Sequence, residues 1–123
     1  MLLMTILAFG VAAGGSAACL HGRDETAEQA KRREDALRAV RYINTAENMG
    51  LEKAKRYVPL SQVPGVPAAP GFKLSLVADN KSYMLAARDT RDACGFAYFT
   101  DETGLVYEAQ PIPRSNARGA AHP

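Results

Sequence analysis

A connector rich in proline and glycine, residues 64–71 with the sequence PGVPAAPG, constrains the fold of this chain more than any other feature. It holds three prolines and two glycines. Proline cannot donate the backbone hydrogen bond that a helix interior or a central strand requires, so this segment can form neither. It therefore divides the chain into two parts, and the spacing of apolar residues differs between them.

The part before the connector has the apolar spacing of an α-helix. One narrow stripe of apolar residues recurs every three to four positions: Ala36, Leu37, Ala39, Val40, Ile43 and Ala46. Thr26 and Gln29 have the spacing of an N-terminal capping box. We expect Gly50 to end this helix, and a short second helical turn, limited by Pro59, to follow within residues 51–63.

The predicted helix carries opposite charges four residues apart, among them Glu28 with Arg32 and Glu34 with Arg38. Side chains at this spacing are neighbours on a helix surface, so we expect two exposed ion pairs. The predicted helix is therefore long, solvated over most of its surface and buried along a thin stripe.

Beyond the connector the apolar period changes to two. Two segments carry apolar residues at alternate positions: Phe72, Leu74, Leu76 and Ala78 in the first, and Tyr83, Leu85 and Ala87 in the second. The segments FAYFT and LVYEA form a second pair around a four-residue loop, residues 101–104, in which Gly104 can take a positive φ. The sequence therefore predicts an α+β fold, with one long helix packed on a three- or four-stranded antiparallel meander.

The second predicted hairpin is rich in aromatic residues. Alternation divides its large side chains between the two faces of the sheet: Phe96, Tyr98, Leu105 and Tyr107 on one, and Phe99 and Val106 on the other. One set should pack against the helix and the other should remain open for assembly. We take Tyr98, Phe99 and Tyr107, which are drawn from both sets, as the candidate interaction surface.

The N-terminal residues have the composition of a targeting segment. Residues 1–18 run from aliphatic to small side chains, which is the order of a secretory signal peptide and its cleavage site. An uncleaved membrane anchor is the alternative, with membrane contact through residues 1–19. We expect an extracytoplasmic protein, in the periplasm, at the cell surface or anchored in the envelope. Residues 110–123, with two prolines before small polar residues, are expected to form a disordered tail.

The chain has two cysteines, Cys19 and Cys94. In an exported protein such a pair is read first as a disulfide. Cys19 also follows small residues, as does the acylated cysteine of a bacterial lipoprotein. The two modifications exclude each other, and the sequence leaves both open.

Residues that could carry catalytic chemistry are few. They are two acidic pairs, Asp101 with Glu102 and Asp89 with Asp92, and two histidines near the ends of the chain, His21 and His122. The acids fall where turns need polar side chains, so we interpret them as solvated turn residues. Because each histidine is near a terminus, we expect neither to be held rigidly enough to activate Cys94, and no short-spaced pair of zinc ligands exists. A net charge of +2 does not indicate nucleic acid. The sequence therefore predicts no enzymatic activity, no cofactor and no metal.

The order of these segments resembles the globular part of bacterial type IV pilins and type II secretion pseudopilins. The resemblance covers residues 34–110 and rests on three phrases: INTAE, the spacing Tyr57-x-x-Leu60-x-x-Val63, and FTDETGLVY. In that family the N-terminal half of the helix packs in a filament core and the sheet faces outward. Prepilins also carry a basic leader, a Gly-Phe cleavage junction and a glutamate five residues into the mature chain. This chain has none of these, with Gly10-Val11 and Gly15 at the nearest positions.

The resemblance implies a pilin-like domain over residues 19–109. Its expected role is that of a non-enzymatic exported structural or interaction protein, such as an accessory or minor subunit of a pilus or secretion-type assembly. Its expected partners are proteins or further copies of itself. The alternative from a different class is an envelope lipoprotein that acts as a binding module anchored through Cys19.

Overall fold

The computed structural model describes residues 19–91 and 94–109. Its elements are, in chain order, helix α1 (Ala27–Ala54), a 3-10 turn (Leu60–Gln62), and strands β1 (Phe72–Ala78), β2 (Tyr83–Asp89), β3 (Ala97–Asp101) and β4 (Val106–Ala109). The four strands form one antiparallel sheet in the order β1-β2-β3-β4. The predicted α+β class is confirmed, with four strands in the meander. The predictions for residues 1–18 and 110–123 lie outside the described residues.

The start of α1 is fixed by side-chain capping. The Thr26 hydroxyl accepts a hydrogen bond from the backbone N–H of Gln29 at 3.1 Å, and the Gln29 amide oxygen accepts one from the Thr26 N–H at 2.8 Å. These two bonds satisfy donors that would otherwise lack a partner at the helix end. The predicted capping box is confirmed.

The end of α1 is later than predicted. The helix passes Gly50 and ends at Ala54, where Lys55 adopts a left-handed conformation with φ 59° and donates its N–H to the Leu51 carbonyl. Glycine lowers helix stability by only ~1 kcal/mol, and Leu51 packs against the core, so tertiary contact outweighs the local preference. The separate helical turn expected between Gly50 and Pro59 is therefore wrong, and a short 3-10 turn instead follows Pro59, at Leu60–Gln62.

Replacement of Gly50 by alanine is expected to stabilise the protein by about 0.5–1 kcal/mol, because alanine restricts the unfolded chain and favours the helix. A Cβ atom at this position would lie 3.6 Å from the Arg56 carbonyl oxygen and 3.7 Å from Val58 Cγ1, which are ordinary contacts. Urea unfolding would measure the gain. The matched control is Gly71→Ala, which should destabilise, since Gly71 has φ +80° and its Cβ would lie 2.7 Å from Arg32 Nη1.

The core lies between α1 and one face of the sheet. Its buried apolar residues come from the segment before α1, from α1, from the loop between α1 and the connector, from β2, and from β3 and the residue before it: Leu20, Ala36, Val40, Ile43, Tyr57, Val63, Tyr83, Leu85, Ala87, Phe96 and Tyr98. The helical stripe and the alternating faces of β1 and β2 therefore agree with the sequence prediction. Phe96 and Tyr98 pack edge to face, with ring centroids 5.0 Å apart.

The two predicted ion pairs of α1 are wrong. Arg32 pairs instead with Asp89 on the sheet, and Arg38 pairs with Asp35 at 3.4 Å. The spacing rule describes an isolated helix, whereas α1 lies on a sheet that offers Arg32 a buried carboxylate.

The predicted register of the second hairpin is also wrong. Thr100 pairs with Val106, and Phe99 with Tyr107, so residues 101–105 separate the last pair. A four-residue loop would have paired Thr100 with Leu105. Because side chains alternate along a strand, this shift of one residue turns Val106 toward the core and Tyr107 to the opposite face.

Candidate functional site

The sheet has an outer face, opposite the face on which α1 packs. Alternation and strand pairing assign these side chains to it: Lys73, Ser75 and Val77 of β1, Met84, Ala86 and Arg88 of β2, Ala97, Phe99 and Asp101 of β3, and Tyr107 and Ala109 of β4. Val77, Met84, Phe99 and Tyr107 are among the large hydrophobic residues exposed on the protein.

The centre of the outer face is mostly apolar. Ser75, Ala86, Phe99 and Tyr107 pair across all four strands and form one row, which we call the apolar row because three of its four residues are apolar. Phe99 is 38% exposed and Tyr107 is 53% exposed, and they are directly opposite each other. Single exposed apolar residues are common on proteins, but contiguous ones mark interaction surfaces more often.

One end of the outer face is basic. Lys73 and Arg88 are directly paired on β1 and β2, and both are exposed. Like charges opposite each other on neighbouring strands repel, so this pair lowers the stability of the isolated sheet. We call Lys73 and Arg88 the basic end.

The other end is acidic. Met84 pairs with both Val77 and Asp101, and a surface depression of about 260 Å³ is lined by these residues together with Asp79 and Glu102. We call Asp79, Asp101 and Glu102 the acidic end.

Turn hydrogen bonds keep two of these carboxyls ionised. Asp101 accepts hydrogen bonds from the Thr103 hydroxyl and backbone N–H, which lower the pKa of Asp101. Asp79 accepts the backbone N–H groups of Lys81 and Ser82, which lower the pKa of Asp79. The interpretation of Asp101 as a turn acid is confirmed, and the acidic end is negative at neutral pH.

The predicted surface residues divide between the two faces. Tyr98 is only 4% exposed and lies in the core. Burial raises the pKa of the Tyr98 hydroxyl, and a hydrogen bond with Arg33 opposes that shift. Phe99 and Tyr107 lie together on the outer face. Met84 and Val77 were missed, although their positions in the alternation of β1 and β2 already placed them opposite the core.

Cys19 and Cys94 form a disulfide, with their Cα atoms 5.6 Å apart. The sequence left two modifications of Cys19 open, a disulfide and a lipid. The structure has the disulfide, and a sulfur in a disulfide cannot also carry a lipid. The bond fastens the segment before α1 to the residues that lead into β3. Leu20, beside it, is 1% exposed and joins the core.

Asp89 is not the solvated turn acid that the sequence suggested. It is the last residue of β2, its side chain is fully buried, and its Oδ2 lies 3.2 Å from Arg32 Nη2. Asp89 also accepts the backbone N–H of Arg91, and the Arg32 guanidinium lies 5.9 Å from the centre of the Phe72 ring. The group links α1 to the sheet. Asp92, its predicted partner, lies outside the described residues.

Glu47 is a buried acid that the sequence analysis did not identify. Its Oε2 accepts the backbone N–H of Val58 at 2.9 Å, whereas Oε1 has no hydrogen-bond partner among the described residues. Burial raises the pKa of the Glu47 carboxyl, and the Val58 bond offsets only part of that shift. The position continues the buried stripe through Val40 and Ile43, so periodicity could have located it. Its bond to the chain that returns after α1 indicates a structural role.

Glu47→Gln is expected to stabilise the protein by about 1 kcal/mol at pH 7, because a neutral amide costs less to bury than a carboxylate. Since the folded-state pKa of Glu47 is raised, its protonation favours folding, and the stability of the natural protein should rise as pH falls from 7 toward 4.5. Urea unfolding at pH 7 and pH 5 would measure this gain, which Glu47→Gln should lack. The lowered pKa values of Glu25, Asp79 and Asp101 act below this window. An equal pH response in both proteins would contradict the assignment.

Two further properties concern only residues 19–91 and 94–109. No cluster of three or more histidine, cysteine, aspartate or glutamate side chains is placed there to hold a metal ion. Nor does any helix in these ranges combine the length and apolar character needed to cross a bilayer.

No family model, no curated protein and no solved structure matches this chain. Function is therefore inferred from the fold, the disulfide and the outer face.

Proposed function

We propose that this chain is an exported, non-enzymatic interaction protein with a pilin-like domain, and that it serves as an accessory or minor subunit of a pilus or secretion-type assembly. The observation that carries the proposal is the outer face, where Phe99 and Tyr107 form an exposed aromatic pair at the centre of an apolar row. A solvated sheet face normally carries polar residues, so an apolar row suits contact with protein.

The element order and the disulfide support this role. A long helix, a Pro/Gly connector and an antiparallel meander are compatible with the resemblance to pilins and pseudopilins. Disulfides persist in oxidising compartments, so the bond between Cys19 and Cys94 favours a location outside the cytoplasm.

The start of α1 favours an accessory role over that of a major filament subunit. In pilins the helix of the globular domain continues into a hydrophobic N-terminal half. Here the helix begins after a capping box at Thr26, and the preceding chain turns back with a Gly22 N–H to Cys19 carbonyl bond of 2.9 Å. The disulfide holds this turn against the sheet. A capped and tethered helix start suits a domain attached to an assembly better than one continuous with a filament core.

Export can be tested by the intact mass of the protein isolated from fractionated native cells, with and without reduction. We expect the chain to begin at Cys19 and to be recovered outside the cytoplasm. On reduction its mass should increase by the two hydrogen atoms that one disulfide takes up. A mass that includes acyl chains would contradict this and support the alternative, an envelope lipoprotein anchored through Cys19.

Interaction through the outer face can be tested by placing a photo-crosslinking phenylalanine analogue at Tyr107 in native cells. We expect covalent adducts to protein from this position. The matched control places the analogue at Glu52, an exposed residue of α1, from which we expect no specific adduct. Absence of adducts from position 107, or the same adducts from both positions, would overturn the proposed role of this face.

A further inference from the structure

We propose that the outer face binds the outer face of a second copy of this chain, in a face-to-face dimer with two-fold symmetry. The inference rests on the proposed function, since it names the occupant of the same face. It follows from the distribution of charge around the apolar row.

The charges on the outer face are largely separated by sign, although Lys81, an exposed cation in the turn after β1, lies beside Asp79 and offsets one of the three negative charges there. The basic end, Lys73 and Arg88, lies on one side of the apolar row, and the acidic end, Asp79, Asp101 and Glu102, lies on the other. A partner with a single sign of charge could neutralise only one end. A second copy of this chain offers both signs, since Arg88 lies two residues to one side of the apolar row and Asp101 two residues to the other.

Charge selects one symmetry axis. A two-fold axis parallel to the sheet and perpendicular to the strands reverses the strand direction in the second copy and keeps the strand order. The basic end of each copy then covers the acidic end of the other, and the contact occurs twice, as in any isologous interface. An axis parallel to the strands would instead place like charges together. Two sheets packed in this way lie ~10 Å apart, a distance that facing side chains fill.

The dimer offsets an electrostatic repulsion that is present in the single copy. Lys73 and Arg88 repel each other across β1 and β2. In the dimer each of these cations faces the acidic end of the partner, which includes the depression lined by Val77 and Met84. The apolar rows meet at the centre, so Phe99 and Tyr107 lose contact with water.

The area of the outer face sets the expected affinity of the dimer. Four strands ~4.8 Å apart and five residues of ~3.3 Å each give a flat footprint of about 300 Å². A standard interface buries ~800 Å² per partner, so this dimer belongs to the weak and reversible class, with a Kd above about 1 µM. Charged pairs at its rim make association weaker in high salt.

The experiment is sedimentation equilibrium of the protein isolated from cells with its disulfide intact, over about 1 µM to 1 mM. The probes are the natural protein and two charge reversals at exposed positions, Arg88→Glu and Glu102→Arg. We expect each variant alone to dimerise at least about tenfold more weakly, because like charges then meet twice. An equimolar mixture should recover the natural affinity within about threefold, since position 88 of each copy then faces an opposite charge at position 102 of the other.

The mixture distinguishes this geometry from other modes of association. Each of three results would overturn the inference: the natural protein stays monomeric throughout this range, the charge reversals do not change association, or the mixture associates no better than its components. Thermal unfolding of the variants controls for folding, and Phe99→Ser should weaken association in every combination. If the purified protein stays monomeric while position 107 gives adducts to another protein in cells, the further inference fails and the proposed function stands.

Discussion

Replacement of Asp89 by alanine is expected to lower the free energy of unfolding by about 3–5 kcal/mol, because it leaves a buried guanidinium without its carboxylate. Asp89 has a fully buried side chain, and that of Arg32 is only 11% exposed. Both terminal guanidinium nitrogens of Arg32, Nη1 and Nη2, contact the carboxylate, at 3.2–3.3 Å. The variant also leaves the Arg91 N–H without its acceptor. Urea unfolding at neutral pH would measure the loss.

The matched control is Lys31→Ala, which removes an ion pair on the solvent side of the same helix. Lys31 lies 3.1 Å from Asp35 and its side chain is 76% exposed, so the expected loss is below about 1 kcal/mol. A second variant, Asp89→Asn, keeps the shape of the side chain but not its charge, and should fall between the natural protein and Asp89→Ala. Equal stabilities for the Lys31 and Asp89 variants would show that the buried pair does not hold α1 on the sheet.

The regular parts of this fold could be predicted because each depends on a local signal. The helical stripe through Val40 and Ile43 and the period-two segments of β1 and β2 reflect how often a side chain returns to the same face. The connector at residues 64–71 separates the two periods by backbone chemistry alone. Predictions from these local signals hold because the core places the same residues on the buried faces of the helix and strands.

The features that the sequence did not reveal depend on contacts between distant segments. Arg32 has an acid four residues before it, yet it binds Asp89, 57 residues away, because the sheet offers a buried partner. Gly50 stays within the helix because the next residue, Leu51, packs on the core. Neither the partner of Arg32 nor the continuation of the helix through Gly50 can be predicted from neighbouring residues alone.

The candidate site shows the same division. Phe99 was placed correctly by alternation along β3, whereas Tyr107 was not, since its face depends on how many residues separate the strands of the hairpin. That number is set by the turn, where Asp101 binds Thr103 and where the Thr100 hydroxyl donates to the Leu105 carbonyl at 2.8 Å. One extra residue in the loop moves Tyr107 beside Phe99 and creates the aromatic pair.

Loss of the disulfide, by Cys94→Ser or by reduction, is expected to lower the free energy of unfolding by about 4 kcal/mol. The bond joins residues separated by 75 positions, and in the chain-entropy model a loop of this length restricts the unfolded chain by about that amount. Urea unfolding with and without reductant would measure the effect. The natural protein should respond to reductant and Cys94→Ser should not, and the reduced natural protein should match the variant.

The same change should leave the proposed association through the outer face intact, and this separates a structural cysteine from a functional one. The segment before α1 keeps other contacts when the bond is absent: Leu20 is buried, Glu25 pairs with Arg33 at 2.9 Å, and His21 contacts Glu108. None of these residues lies on the outer face. Cys94→Ser should therefore dimerise with the affinity of the natural protein at temperatures where both are folded. If Cys94→Ser kept its stability but no longer dimerised, Cys94 would belong to the interface, and its disulfide would not be what stabilises the fold.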